Sequence, residues 1–285
     1  MNGLGPASER RAPGLLGRSN LAVRVLTAAV GLPLVAALAY LGEWPFAIAA
    51  AIIIFLASFE FVHGWLFPSM PMRAALGLAP SFGAAAMMVG GAHVGPTYIW
   101  LGVAIAALLA AAGYSHTNRF GPRRPMRVMA WCLAYCGVLG ATLVLVRDLD
   151  GGRDWFFLAI LSTFAVDTGA YAVGRAIGRH KLAPKISPKK TVEGAIGGFV
   201  AGVVAVLALN AALDTGESAM KLLPLALLLP IAGQAGDLFE SWMKRRMGVK
   251  DASGLLPGHG GFLDRLDSVL FVMPVTWAYL RWVVL

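Results

Sequence analysis

Nine stretches of this chain stay apolar over roughly the 20 residues a helix needs to cross a bilayer, and that leaves few folds open. They cover residues 21–41, 45–62, 74–91, 97–114, 128–146, 155–174, 193–211, 221–239 and 266–285. In hydrocarbon every backbone N–H and C=O must find a partner inside the protein, so such runs form helices. The predicted fold class is all-α: a polytopic membrane protein of about nine transmembrane helices. Composition agrees, with 58% hydrophobic and only 14% charged residues, against about 25% charged in soluble domains.

Lysine and arginine orient the helices, because cytoplasmic loops collect them. Alternating the connections puts four of the 24 before residue 25, then Arg73, four over 119–127, six over 175–190 and five over 244–265 on one side. The opposite side receives only Arg147, Arg153, Lys221 and Arg281. This predicts a cytosolic N-terminus, a C-terminus outside, and two polar segments, 175–192 and 240–265, on the cytosolic surface. The net charge of +9 then reads as topology plus attraction to anionic lipid and phosphate, not as a nucleic-acid footprint.

Residues 1–20 read as a flexible basic cytosolic tail. The apolar run that follows exceeds the ~7–15 residues of a signal-peptide core. Residues 21–127 form an N-terminal set of helices, and 128–285 a C-terminal region that carries most of the buried charge. Cys132 and Cys136 share a helix face as small apolar side chains. Glycines at 194, 197, 198 and 202 have the small-residue spacing of closely packed membrane helices. Glu60, alone in its apolar run, reads as an interface carboxylate.

Charge inside apolar runs is costly and marks function. It concentrates between Gly236 and Asp267. Asp237, Ser241 and Lys244 fall at i, i+4 and i+7 on one helix face, and Asp264 and Asp267 at i and i+3 on another. Between them lies a Pro257-Gly258-His259-Gly260-Gly261 turn. Carboxylates from two helices, without cysteine or clustered histidine, suit a hard cation such as Mg²⁺. With Lys244, Arg245, Lys250 and Arg265 around them, the pattern describes a polyphosphate site. The 175–192 segment adds basic residues ending at a helix start, where free N–H groups hold phosphate. Asp167, Glu193 and Asp251 are further candidates. Asp167 has the alternative of a local cap or a pair with Arg175, and Glu193 that of an ordinary helix-start carboxylate. His180 and His259 read as hydrogen-bonding groups, not metal ligands.

The spacing Ser241-x-x-Lys244-Arg245, Lys250-Asp251, Ser253, Leu256-Pro257, His259-Gly260-Gly261, Asp264-Arg265-x-Asp267 resembles the signature of the phosphatidate cytidylyltransferases, or CDP-diacylglycerol synthases. Asp167-Thr168-Gly169-Ala170-Tyr171, Gly174-Arg175, His180-Lys181-Leu182 and Ser187-Pro188-Lys189-Lys190-Thr191-x-Glu193-Gly194 are similar to the same family. The resemblance implies an integral enzyme of the cell membrane, as in the bacterial inner membrane, with its site facing the cytosol. It would make CDP-diacylglycerol and pyrophosphate from CTP and phosphatidate. The catalytic set expected on this basis is Asp237, Ser241, Lys244 and Asp264. The metal set is Asp237, Asp264 and Asp267, holding Mg²⁺, with one or two ions left open. The substrate-binding set is Arg175, Lys189, Lys190, Arg245, Lys250, His259 and Arg265. A homodimer is left open. The alternatives are a CTP-dependent polyprenol or lipid kinase, which would move the γ-phosphate, and an anion transporter. Charge lopsided toward the C-terminal half, without matching repeats, argues against the transporter.

Overall fold

A computed structural model describes residues 16–66, 85, 88–95, 97, 101, 124–213 and 215–285. Its helices in order are α1 (Leu16–Leu41), α2 (Glu43–Leu66), α3 (Arg124–Cys132), a π-helical turn (Leu133–Val138), α4 (Leu139–Arg147), α5 (Gly152–Ile177), α6 (Val192–Leu213), α7 (Ala219–Met247), α8 (Leu263–Leu266), α9 (Val269–Tyr279) and a second π turn (Leu280–Val284). Among the described residues five helices are long and apolar enough to cross a membrane: Glu43–Leu66, Arg127–Arg147, Gly152–Ile177, Val192–Leu213 and Ala219–Met247. The architecture is that of a helical membrane protein. The expected spans over 74–91 and 97–114 lie mostly outside the described residues, as does most of the 1–20 tail.

Two features differ from the sequence expectation. The run expected as one helix over 266–285 is broken: α8 stops at Leu266, and α9 begins only at Val269. The Asp267 carboxylate accepts from the Ser268 N–H at 2.6 Å, so a polar side chain competes for backbone at the junction. The second difference is a small departure from an all-α chain. Lys181–Ala183 (β1) and Ser187–Thr191 (β2) pair antiparallel. Ile186 N–H donates to Ala183 O across their turn, with Pro184 at its second position.

The helices pack as the small-residue pattern predicts. A Cβ on Gly198 would stand 2.8 Å from Val166 O and 2.9 Å from the Ala170 side chain, so α6 lies directly on α5. At one end of the bundle Arg147 donates to Ala39 O at 2.5 Å and Tyr40 O at 2.9 Å, satisfying the last carbonyls of α1. His93 and Asp148 pair at 2.6 Å at the same end. The hairpin and the 240–265 segment meet at the opposite end. α7 reaches both regions because it does not stop at residue 239, where its apolar run ends. Its 29 residues measure about 44 Å at 1.5 Å per residue, well beyond the ~30 Å hydrocarbon core. The surplus carries Asp237, Glu240, Ser241 and Lys244 on continuous helix.

Candidate active site

Three groups of residues meet where α7 leaves the apolar bundle. The first is a buried charge knot. Lys244 Nζ reaches Asp264 Oδ1 at 2.8 Å and, one turn back on its own helix, Glu240 Oε2 at 2.9 Å. Asp264 also accepts from the N–H groups of Ala252, at 3.0 Å, and Gly261, at 2.8 Å. Burial alone would push the Asp264 carboxyl up. The Lys244 ammonium and the Gly261 N–H outweigh it and hold the group below the usual carboxylate range. Two buried carboxylates thus share one ammonium. Glu240 Oε1 is buried with no hydrogen-bond partner among the described residues.

The second group holds the His-Gly-Gly turn. Glu60, fully buried on α2, accepts from Ser253 Oγ at 2.6 Å, Phe262 N–H at 3.0 Å and Leu263 N–H at 2.8 Å. It thereby serves the free donors at the start of α8 from some 200 residues away in sequence. The turn needs its glycines. Gly260 has φ +82°, and a Cβ there would stand 2.6 Å from Asp264 Oδ2. At Gly261 a Cβ would run into the Glu60 carboxylate. Leu256 N–H donates to Gly260 O at 2.9 Å, and His259 N–H to Leu256 O at 2.9 Å, which closes the loop. Around it opens a cavity of about 490 Å³ lined by Lys250, Asp251, Ser253, Leu256, His259, Arg265 and glycines 254, 258 and 260. The His259 Nδ1 atom is buried beside it without a hydrogen-bond partner among the described residues.

The third group is acidic. Asp167 on α5, Asp237 on α7 and Asp267 after α8 lie within electrostatic reach of one another, with Lys190 and Arg265 among them. Lys190, from β2, forms an ion pair with Asp237. Arg245 Nε donates to Ile186 O at 3.1 Å, so α7 also holds the hairpin turn.

The remaining candidates have local partners. Glu193 binds His180 Nδ1 at 2.5 Å and the N–H groups of Arg179, at 3.0 Å, and His180, at 3.2 Å, fastening the hairpin to the start of α6. Arg175 donates to the Tyr171 hydroxyl at 2.7 Å and stacks over its ring, leaving Asp167 free of the local pair considered for it. Lys189 is exposed on the hairpin, and Ser241 is half-buried on α7.

The expected metal set of Asp237, Asp264 and Asp267 is not gathered round one point. Among the described residues no three His, Cys, Asp or Glu side chains converge at ligand spacing. Asp264 is turned to Lys244 and two backbone N–H groups, whereas Asp237 and Asp267 face Asp167. That trio offers only the donor type a hard cation takes, carboxylate oxygens, with the Lys190 ammonium paired to one of them. Two contributors went unassigned from sequence. Glu240 carries charge in the sequence without a role that spacing assigns, and Glu60 reads first as an interface group, with membership of the site as the alternative. An isolated acid in an apolar run, with Ser253 far downstream, carries no local sign of its partner.

Residues 22–283 match the model of the cytidylyltransferase family. The chain belongs to that family. This cytidylyltransferase is 35% identical over 189 residues to the phosphatidate cytidylyltransferases of Staphylococcus aureus strains COL and N315, covering 64% of its own length and 71% of theirs. It is 36% identical over 149 residues to that of Staphylococcus saprophyticus, covering 51% of its own length and 56% of the relative's. It thus spans little more than half of that relative.

Proposed function

We propose that this cytidylyltransferase uses phosphatidate as its acceptor, turning CTP and phosphatidate into CDP-diacylglycerol and pyrophosphate at the cytosolic face of a bacterial cell membrane. One observation carries the reading: a cavity with cationic walls at the glycine turn abuts a carboxylate trio at the end of membrane helices. A water-soluble triphosphate and a membrane-held phosphate can meet there. The names of the staphylococcal relatives support the same acceptor.

A phosphate monoester has a second pKa of about 6, so the acceptor is ionised at neutral pH and needs no strong general base. The barrier is electrostatic, since one anion must attack another; positioning and neutralisation supply the catalysis. Lys250, His259 and Arg265, around the glycine turn, bind the triphosphate. Ser241 and Arg245 flank it on α7. Lys189, Lys190 and Arg175 hold the lipid phosphate. A phosphatidate oxygen forms the bond to the α-phosphorus, the bond to the bridging oxygen of the β-phosphate breaks, and pyrophosphate leaves. Asp237 and Asp267, with Asp167, would hold Mg²⁺, which when bound neutralises charge between the two phosphates. Asp264 aims Lys244 at the charge that develops on the departing pyrophosphate. Glu193 and Asp251 shape the hairpin and the cavity rim.

The test is incorporation of label into lipid by the purified chain in phosphatidate vesicles. Label from α-³²P CTP should enter lipid and label from γ-³²P CTP should not. Transfer of γ label would establish a lipid kinase instead. Anion flux without CTP would establish a transporter.

A further inference from the structure

Beside the carboxylate trio the bundle has a second hollow, of about 340 Å³, lined by Trp131, Ala134, Tyr135, Leu139, Phe239 and Phe271. It forms where the helical ladder widens into the π turn Leu133–Val138, an irregularity often found at functional sites. Phe271 follows Asp267 by four residues; α8 and α9 are separate there, but Asp267 and Ser268 at the junction keep helical dihedrals, which sets Phe271 about one turn, roughly 5–6 Å, deeper along the bundle. Phe239 lies two residues beyond Asp237 on α7. The Tyr135 ring packs against Phe239 at 5.4 Å and Phe271 at 6.4 Å. The Tyr135 hydroxyl is buried and has no hydrogen-bond partner among the described residues, yet it lies within electrostatic reach of Glu240 and Asp267. Trp131 on the flank is 48% exposed, so the hollow is open on that side.

An unpaired buried hydroxyl is costly and aromatic side chains usually place theirs against a partner. Here the hydroxyl of an otherwise largely apolar hollow is unpaired among the described residues, on the side of Glu240 and Asp267. We propose that the hollow receives the first methylenes of one acyl chain of the lipid acceptor, with the Tyr135 hydroxyl donating to the ester carbonyl of that chain. The distances suit this occupant: in a diacylglycerol phosphate the ester carbonyls lie a few bonds below the phosphate, about one helical turn. A phosphate held beside Asp237 and Asp267 would set an ester at Tyr135. Trp131, Leu139, Phe239 and Phe271 match the chain that continues from it. The inference rests on the phosphatidate reading.

The experiment compares wild type, Tyr135→Phe and Ala134→Trp on dioleoyl phosphatidate and on its diether analogue, which lacks the carbonyls. Tyr135→Phe should raise the KM for the diester about tenfold, the loss of one hydrogen bond, and leave the KM for the diether and for CTP unchanged. Ala134→Trp, which fills the hollow without touching the hydroxyl, should raise the KM for both lipids and spare CTP. Equal KM values for wild type and Tyr135→Phe on the diester would overturn the proposal, as would an equal loss on diester and diether. So would a change of oligomeric state in Ala134→Trp with lipid KM intact, because the hollow would then hold a second copy. If wild type transfers no α label to phosphatidate, the functional reading fails and this inference with it. If wild type is active and only the variant pattern fails, the inference alone is wrong.

Discussion

Lys244 is the side chain on which the site's charge balance turns. It touches Asp264 and Glu240, both buried, so removing it strands two carboxylates. Lys244→Ala should abolish measurable CTP incorporation and cost about 3–5 kcal/mol of stability, the scale for breaking a buried pair. Thermal unfolding in detergent, alongside the activity assay, checks both. Asp264→Asn should be milder in stability, because the amide oxygen still accepts from Ala252 and Gly261. It should still lower activity at least a hundredfold, read in the same assay, by releasing Lys244. The depressed Asp264 pKa fixes the sign of its pH effect. Its contribution to stability is fully present above the unfolded carboxyl value of about 3.9 and fades as pH falls through the lower folded value. The fixed dipeptide Gly260-Gly261 belongs to this scale too. Gly261→Ala drives a methyl into the Glu60 carboxylate and should raise the KM for CTP several-fold, with a loss of about 1–3 kcal/mol in the melt.

At the scale of elements, the structure ties the two halves of the chain together through α2. Glu60 holds Ser253, Phe262 and Leu263, so the turn that lines the larger cavity is positioned by a helix from the N-terminal set. Glu60→Ala should raise the KM for CTP more than it lowers kcat, and Glu60→Gln should recover part of the loss, because its amide keeps one acceptor oxygen; steady-state kinetics separate the two. This link marks the limit of the sequence. Asp237, Ser241 and Lys244 could be put on one face from spacing alone, since helical periodicity is local. So could the tendency of the helix around Gly198 to pack closely, though not that its partner is α5. The break after Asp267, the Lys190–Asp237 pair and the anchoring by Glu60 depend on which elements meet. One residue among apolar neighbours carries no information about a partner 193 positions away. The expected metal set failed to gather for the same reason: i and i+3 put Asp264 and Asp267 on one face, but Lys244 and two N–H groups claim the first and leave the second to Asp167 and Asp237.

At the scale of the molecule, the two ends of the bundle differ in chemistry. One has Arg147 capping α1 and the His93–Asp148 pair; the other has the hairpin, the charge knot and the cavity. Charge counting assigns the second end to the cytosol, and labelling can test it. Cys132 and Cys136 are buried and should leave little background. A cysteine replacing exposed Lys185 should react with an impermeant maleimide only from the cytosolic side, and one replacing exposed Asp150 only from outside. The reverse pattern would invert the orientation.

The unbroken run of α7 has a mechanical consequence. One continuous helix, with Pro224 and Pro230 in its apolar part, carries Asp237, Glu240, Ser241 and Lys244 on its overhang. The height of those charges above the lipid headgroups is thus a fixed length minus the thickness of the membrane. A thicker bilayer would draw the charges down among the headgroups, and a thinner one would lift them clear, unless the helix tilts. Turnover measured in vesicles of graded acyl length should therefore pass through a maximum. On the proposed function, the protein would then be gauging the sheet whose building blocks it helps to make.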